Sequence, residues 1–329
     1  MFRKFIVKIL QLPIISNLLR LSKEIRIPGF DGLPLYDVMA FFIKGMQEGW
    51  LNLRASAVAF NFILAIFPAI IFVFTLIAYI PIDGFQVQLM NILEVVLPEN
   101  AYASISETIE DIVMRQRGGL LSITVVSALY FSTNGVSVLI DSFNTTYHTI
   151  ESRPYMVQRA LALAITLILV FFTVIATSLI IFGQIGVEFL AQKGIVTDGL
   201  SRLSLGLVQY IIIISLFFFA ISVLYFLGPS KKTKWRFFSA GSSLATVLVI
   251  ITSISFTYFV DNFGTYNKLY GSIGTLVIVM LWMLLNSMAL LIGFELNASI
   301  ENAKLRELET SKRSLNISLE DEIEKGSQS

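Results

Sequence analysis

The sequence predicts an all-α polytopic membrane protein with six transmembrane helices, N-terminal interfacial amphipathic helices and a short helical outer loop. Three observations carry that prediction. Of 329 residues, 55% are hydrophobic and 14% charged, and the mean hydropathy is +0.77, whereas a soluble domain carries charge nearer a quarter. Six stretches, 55–80, 118–140, 160–187, 203–227, 237–260 and 269–294, contain no Asp, Glu, Lys, Arg or His, and the shortest has 23 residues. A helix needs about 20 apolar residues to cross the hydrocarbon of a bilayer. These runs are apolar on all sides instead of alternating, which excludes a β-barrel. Finally, the segments joining the spans carry 19 Lys and Arg on one side and 5 on the other, and that asymmetry puts both termini in the cytoplasm.

Taken in order, residues 1–54 form a cytoplasmic or interfacial amphipathic region. Arg3, Lys4, Lys8, Arg20, Lys23 and Arg26 alternate with Phe5, Ile6, Ile9, Leu10 and Leu18, the pattern of a basic helix lying on the inner leaflet. After the breaks at Pro28, Gly29, Gly32 and Pro34, Leu35 to Leu53 reads as a second interfacial helix, with Phe41, Phe42, Met46 and Trp50 on its apolar side. The transmembrane domain spans 55–298. Its longest outer loop, 81–117, has helical spacing on both sides of Pro98 and predicts two short helices. Arg115 and Arg117 at its end have Glu107, Glu110 and Asp111 within reach. The tail, 299–329, is charged; it first continues the last helix and is then expected to be partly disordered.

The same composition excludes much chemistry. There is no Cys and one His, His148, so no thiolate, iron–sulfur or multi-histidine metal site can be assembled, and no cofactor is expected. A formal charge of +1 gives no basic field for nucleic acid. With no charge inside the spans, a midplane proton relay is also disfavoured.

What the spans hold is amide and hydroxyl chemistry: Asn61 and Pro68 in the first, Asn134 in the second, Gln184 in the third, Gln209 in the fourth, Asn286 and Ser287 in the sixth. Such groups bridge helices or line a polar cavity, and both readings stay open. Gly241 and Ala245 have small-xxx-small spacing in the fifth span, and Gly271 and Gly274 open the sixth; both sites permit close helix packing. Such faces serve packing within one chain and between copies alike, so a homo-oligomer stays open. In the loop before the fifth span, Lys231, Lys232, Lys234, Trp235 and Arg236 stand together without an acid. They form a topogenic positive loop, a contact for anionic lipid headgroups at the inner leaflet, or both.

Four blocks, in order, resemble the YihY/virulence factor BrkB family of bacterial inner-membrane proteins. They are RASAVAFNFILAIFPAI (54–70), FSTNGVSVLIDSFNTTYHTIESRPYMVQRALAL (131–163), GPSKKTKWRFFSAGSSLA (228–245) and YNKLYGSIGTLVIVMLWMLLNSMALLIGFELNA (266–298). Phe131 stands where the family's Trp is expected. The resemblance implies a six-span inner-membrane protein and sets Asn144, Tyr147, Glu151 and Arg153 at motif positions. Members were once labelled ribonuclease BN, but a metal nuclease needs carboxylates or histidines converging on a cation, and the acids here are scattered over both sides of the bilayer. No enzymatic activity is therefore expected.

Transport of an amphipathic or lipid-like substrate is the leading expectation. Its candidate residues are Asn61, Pro68, Asn134, Asp141, Asn144, Arg153, Glu295 and Asn297. At the membrane edge, Asp141 or Glu295 could instead be helix-end anchors paired with Arg153 or Arg159. The alternative function is a non-transporting envelope scaffold.

Overall fold

The computed structural model describes residues 22–81, 84–96, 99–146, 153–193, 199–230, 237–262 and 264–327. Nine helices are defined among them and no strand: α1 Leu35–Glu48, α2 Leu51–Ile77, α3 Phe85–Val96, α4 Glu99–Met114, α5 Gly118–Thr146, α6 Tyr155–Gln192, α7 Gly199–Leu227, α8 Ala240–Asn262 and α9 Gly264–Ser327. Six of them, α2 and α5 to α9, contain stretches long and apolar enough to span a membrane. The basic amphipathic segment expected over the first residues lies outside the described residues.

The helices overrun the charge-free stretches at the end where the termini lie. α2 begins at Leu51 and takes in Arg54, α5 continues through Asp141 to Thr146, and α6 starts early enough to include Arg159. Each of these charged residues has a polar partner on another helix, so the backbone stays helical where an unpaired charge would have to leave the bilayer. The fifth span is trimmed instead. Ser239 precedes α8, and its Oγ accepts from the Ser242 backbone N–H at 3.1 Å while the Ser242 Oγ accepts from the Ser239 N–H at 3.2 Å, a reciprocal cap that fixes the helix start. α9 continues without a break through the 299–329 tail as far as Ser327.

Packing closes on itself. α2 lies against α5, α5 against α6, α6 against α7, α7 against α8, α8 against α9, and α9 against α2, with α9 also reaching α5. The buried apolar core draws on all six: Val58 of α2, Ile140 and Phe143 of α5, Ile165 of α6, Leu224 and Tyr225 of α7, Ala245 of α8, and Leu291 and Phe294 of α9. Phe143 and Phe294 stack at 4.1 Å between centroids, and Tyr225 stands edge-on to both at 5.5 Å. Its hydroxyl donates to the Leu290 carbonyl, which satisfies the one polar atom in the cluster.

This core is one-ended. Among side chains that are described, no residue of α6 beyond Thr166, of α7 before Ile221, or of α8 beyond Val249 is buried. On the same far half, α2 buries only Thr75 past Ala65, and α5 only Thr124 before Thr133. α3 and α4 lie at that far end. They are tied down by Gln86, whose amide donates to the Ile77 and Ile80 carbonyls at 3.1 Å each, and by Arg117, which pairs with Asp111.

At the near end, Leu35 to Leu53 is not one helix. Gly49 ends α1, Trp50 adopts a left-handed conformation (φ 49°), and α2 starts at once. α1 turns its apolar face to protein: Val38 is fully buried with Phe30 and Leu33 against Leu296, Ile300 and Ala303 of α9. The tight turn before it uses positive φ at Gly29, Asp31 and Gly32, and the Asp31 carboxylate accepts from Lys304 at 2.7 Å.

Candidate functional site

The near end carries four polar clusters, and one of them is a buried ion pair. Arg54 and Glu295 approach to 3.5 Å with side chains 8% and 6% exposed. Arg54 Nη1 donates to the Ser142 carbonyl at 2.8 Å and to Thr146 Oγ1 at 2.6 Å, and Thr146 donates on to Glu295 Oε2 at 3.2 Å. Three spans are thereby joined through one guanidinium. Two glycines of the α1 region make room for it. A Cβ at Gly45 would overlap the Glu295 carboxylate, and one at Gly49 would come within 2.7 Å of Arg54 Nη2. α1 therefore packs directly on the pair. Breaking a buried pair by removing one partner typically costs about 3–5 kcal/mol, because the other charge is stranded.

The other three clusters also stitch helices. Asn144 Oδ1 accepts from the Ser230 N–H and hydroxyl at 2.9 and 3.0 Å, while Arg153 donates to the Gly228 and Pro229 carbonyls at 2.9 and 2.5 Å. Together they hold the exit of α7, where orphan carbonyls need donors. Asn297 of α9 accepts from the Gly241 N–H and donates to Ser239 Oγ, both at 2.8 Å, and so joins α9 to the start of α8. Beside it Gly293 and Gly241 let the backbones touch: a Cβ on Gly293 would lie 2.6 Å from the Ala245 Cβ and 2.7 Å from the Tyr225 hydroxyl. In the last cluster Arg159 Nη1 donates to Asn134 Oδ1 at 3.1 Å and Asn134 donates to Asn61 Oδ1.

Sequence-predicted residues are thus found in separate groups. Glu295 meets Arg54. Asp141 accepts from Gln158 at 2.5 Å. Pro68 lies inside α2, which runs through it uninterrupted. Gly271 falls in the first turns of α9 and Gly274 is buried there, while the close approach of α8 to α9 is at Gly293, which sequence reading did not single out. Lys231, Lys232, Lys234, Trp235 and Arg236 lie outside the described residues, as do Tyr147, His148 and Glu151. Arg54, Thr146, Gly45 and Gly49 were missed. The one available signal was that Arg54 and Glu295 are opposite charges immediately flanking the first and last charge-free spans on the same side.

Buried side-chain atoms with no hydrogen-bond partner among the described residues are Arg54 Nε and Nη2 at the ion pair, Thr133 Oγ1, Ser222 Oγ and Asn286 Oδ1. Polar atoms in that condition draw water or a solute. No group of three or more His, Cys, Asp or Glu that could hold a metal occurs among the described residues.

A six-span helical membrane bundle with interhelical amides and a buried ion pair at one end is the class defined so far. The chain belongs to the virulence factor BrkB family, whose model matches residues 42–317. It is 28% identical over 255 residues to the ribonuclease-like protein YfkH of Bacillus subtilis, covering 76% of this chain and 90% of that one. Similarity extends to UPF0761 membrane proteins of Haemophilus influenzae (23% over 263 residues, 79% and 93% covered) and Coxiella burnetii (25% over 265 residues, 78% and 90% covered). No solved structure matches the chain.

Proposed function

We propose that this protein is a transporter of an amphipathic or lipid-like substrate in the bacterial inner membrane, with both termini in the cytoplasm and anionic lipids as its neighbours. The observation that carries the reading is the one-ended core. An aromatic seal and a buried ion pair close the near end, while the far half of the same ring holds few buried residues among the described side chains. A carrier caught with one side shut has this asymmetry. The Arg54–Glu295 pair, shared by α2, α5 and α9 and covered by α1, is then the latch of the closed side.

The scaffold reading draws on a different observation. α9 continues well past Ala303 with exposed Leu305 and Leu308 and charged Arg306 and Glu307, a rod suited to holding a partner.

Reconstitution decides between them. Purified protein in liposomes with headgroup-labelled lipid should accelerate translocation over empty vesicles, and Glu295→Gln should reduce the rate at least about tenfold, the scale of one lost charge-assisted contact. Translocation equal to that of empty vesicles, with the protein folded by circular dichroism, overturns the lipid-transport reading.

A further inference from the structure

Arg159 is the feature that the latch leaves unexplained. It lies one turn into α6, yet its guanidinium reaches Asn134 of α5 and the Tyr130 ring one turn farther along that helix, whose centroid is 5.3 Å away. Asn134 in turn bonds Asn61, seven residues beyond Arg54 on α2. At 1.5 Å per residue, that sets the Asn61 end of the chain roughly 10 Å deeper in the bilayer than the latch. A cation drawn to this depth calls for a partner, and the contacts that the structure gives it are neutral: one amide oxygen and the faces of Tyr130 and Tyr155, the latter at 5.9 Å.

The direction of approach follows from exposure. Tyr130 is 58% and Tyr155 68% exposed, and Phe60, Val126 and Leu163 on the same three helices are exposed as well. The surface around the guanidinium therefore carries exposed apolar and aromatic side chains beside one cation. Asn134 turns its carbonyl oxygen to Arg159 because its amide nitrogen is spent on Asn61, whose own nitrogen donates to the Ala57 carbonyl at 2.8 Å. That relay of amides fixes one edge of the guanidinium and leaves its other N–H groups without a hydrogen-bond acceptor among the described residues. Arginine is suited to a phosphodiester because its planar fork matches two oxygens, and aromatic faces hold the fork in plane.

We propose that Arg159, Asn134, Asn61, Tyr130 and Tyr155 form a phosphate site, entered from the bilayer, for the headgroup of an anionic lipid whose chains lie along Phe60, Val126 and Leu163. The site deepens the transport reading by naming the recognised group, and it rests on that reading only for movement of the lipid, not for its binding.

The test is therefore made where nothing is translocated. The full-length protein in detergent micelles is loaded with an equal mixture of phosphatidylglycerol and phosphatidylcholine and read by native mass spectrometry, with and without excess inorganic phosphate. Wild type should retain phosphatidylglycerol preferentially, and Arg159→Gln should cut that retention roughly tenfold while sparing phosphatidylcholine. Should Arg159→Gln fail to fold, Tyr130→Leu with Tyr155→Leu keeps the charge and should lower retention severalfold. Displacement by inorganic phosphate assigns the same site to a soluble phosphate; persistence assigns it to the lipid. Equal retention of the two lipids by wild type, or retention unchanged in the folded variants, overturns the site. Because binding is read alone, its failure is separate from a failure of translocation.

Discussion

Arg54 and Glu295 form a buried pair in which each charge depends on the other. Each is almost fully buried, and Glu295 has the α1 backbone against it at Gly45. Glu295→Gln should lower stability by about 3 kcal/mol, because it strands the guanidinium, whereas Arg54→Met with Glu295→Met should lie within about 1 kcal/mol of wild type, since an apolar pair removes both desolvation costs. Unfolding of the detergent-solubilised protein by added dodecyl sulfate measures both. A double variant as unstable as the single one would mean that the pair is net stabilising in this bundle. The sequence singles out Glu295 at the membrane edge but not its pairing with Arg54. Charge-free windows stop at a charge by construction, so they end beside Arg54 and Glu295 without indicating that the two meet, and a contact across 241 positions leaves no local pattern.

At the scale of elements the sequence was a better guide. Six spans and two short outer helices follow from length and periodicity, since a run of more than 20 apolar residues has one stable solution in lipid. Helix ends are a different matter. They are set by capping and by partners on other chain segments, as at Ser239 and Asn144, and α1 ends where Trp50 takes a left-handed conformation. Among the packing contacts, Gly241 and Ala245 meet α9 at Gly293, which follows Ala289 at small-xxx-small spacing in the sixth span. Gly293→Val should therefore separate α8 from α9, with a loss of about 2–3 kcal/mol typical of overpacking. Since the chain has no cysteine, a Ser243→Cys reporter can be introduced cleanly. It is exposed in the wild type already, so the diagnostic is Ser242→Cys, buried beside the joint: its alkylation rate should rise at least several-fold in Gly293→Val. An unchanged rate would show that α9 absorbs the methyl groups elsewhere.

The whole molecule is defined by the difference between its two ends. All four polar clusters, the aromatic seal and the α1 cover lie toward the termini, while α3 and α4 lie at a half-ring with few buried residues among the described side chains. If that asymmetry reflects a solvated vestibule closed at its base, water-soluble reagents must reach it from one side only. Thr133→Cys and Asn286→Cys, in an otherwise cysteine-free chain, should react with a membrane-impermeant thiosulfonate added on the α3–α4 side of oriented vesicles. They should be protected from the same reagent on the side of the termini, and Tyr225→Cys, inside the seal, should be protected from both. Adding Glu295→Gln should bring Asn286→Cys within reach from the terminal side, because the latch that holds α2, α5 and α9 together is gone. Reaction from neither side would make the far half a lipid-facing surface with no aqueous path. The amides would then be helix-to-helix bonds, and the long terminal rod of α9 would become the part of the protein on which function must depend.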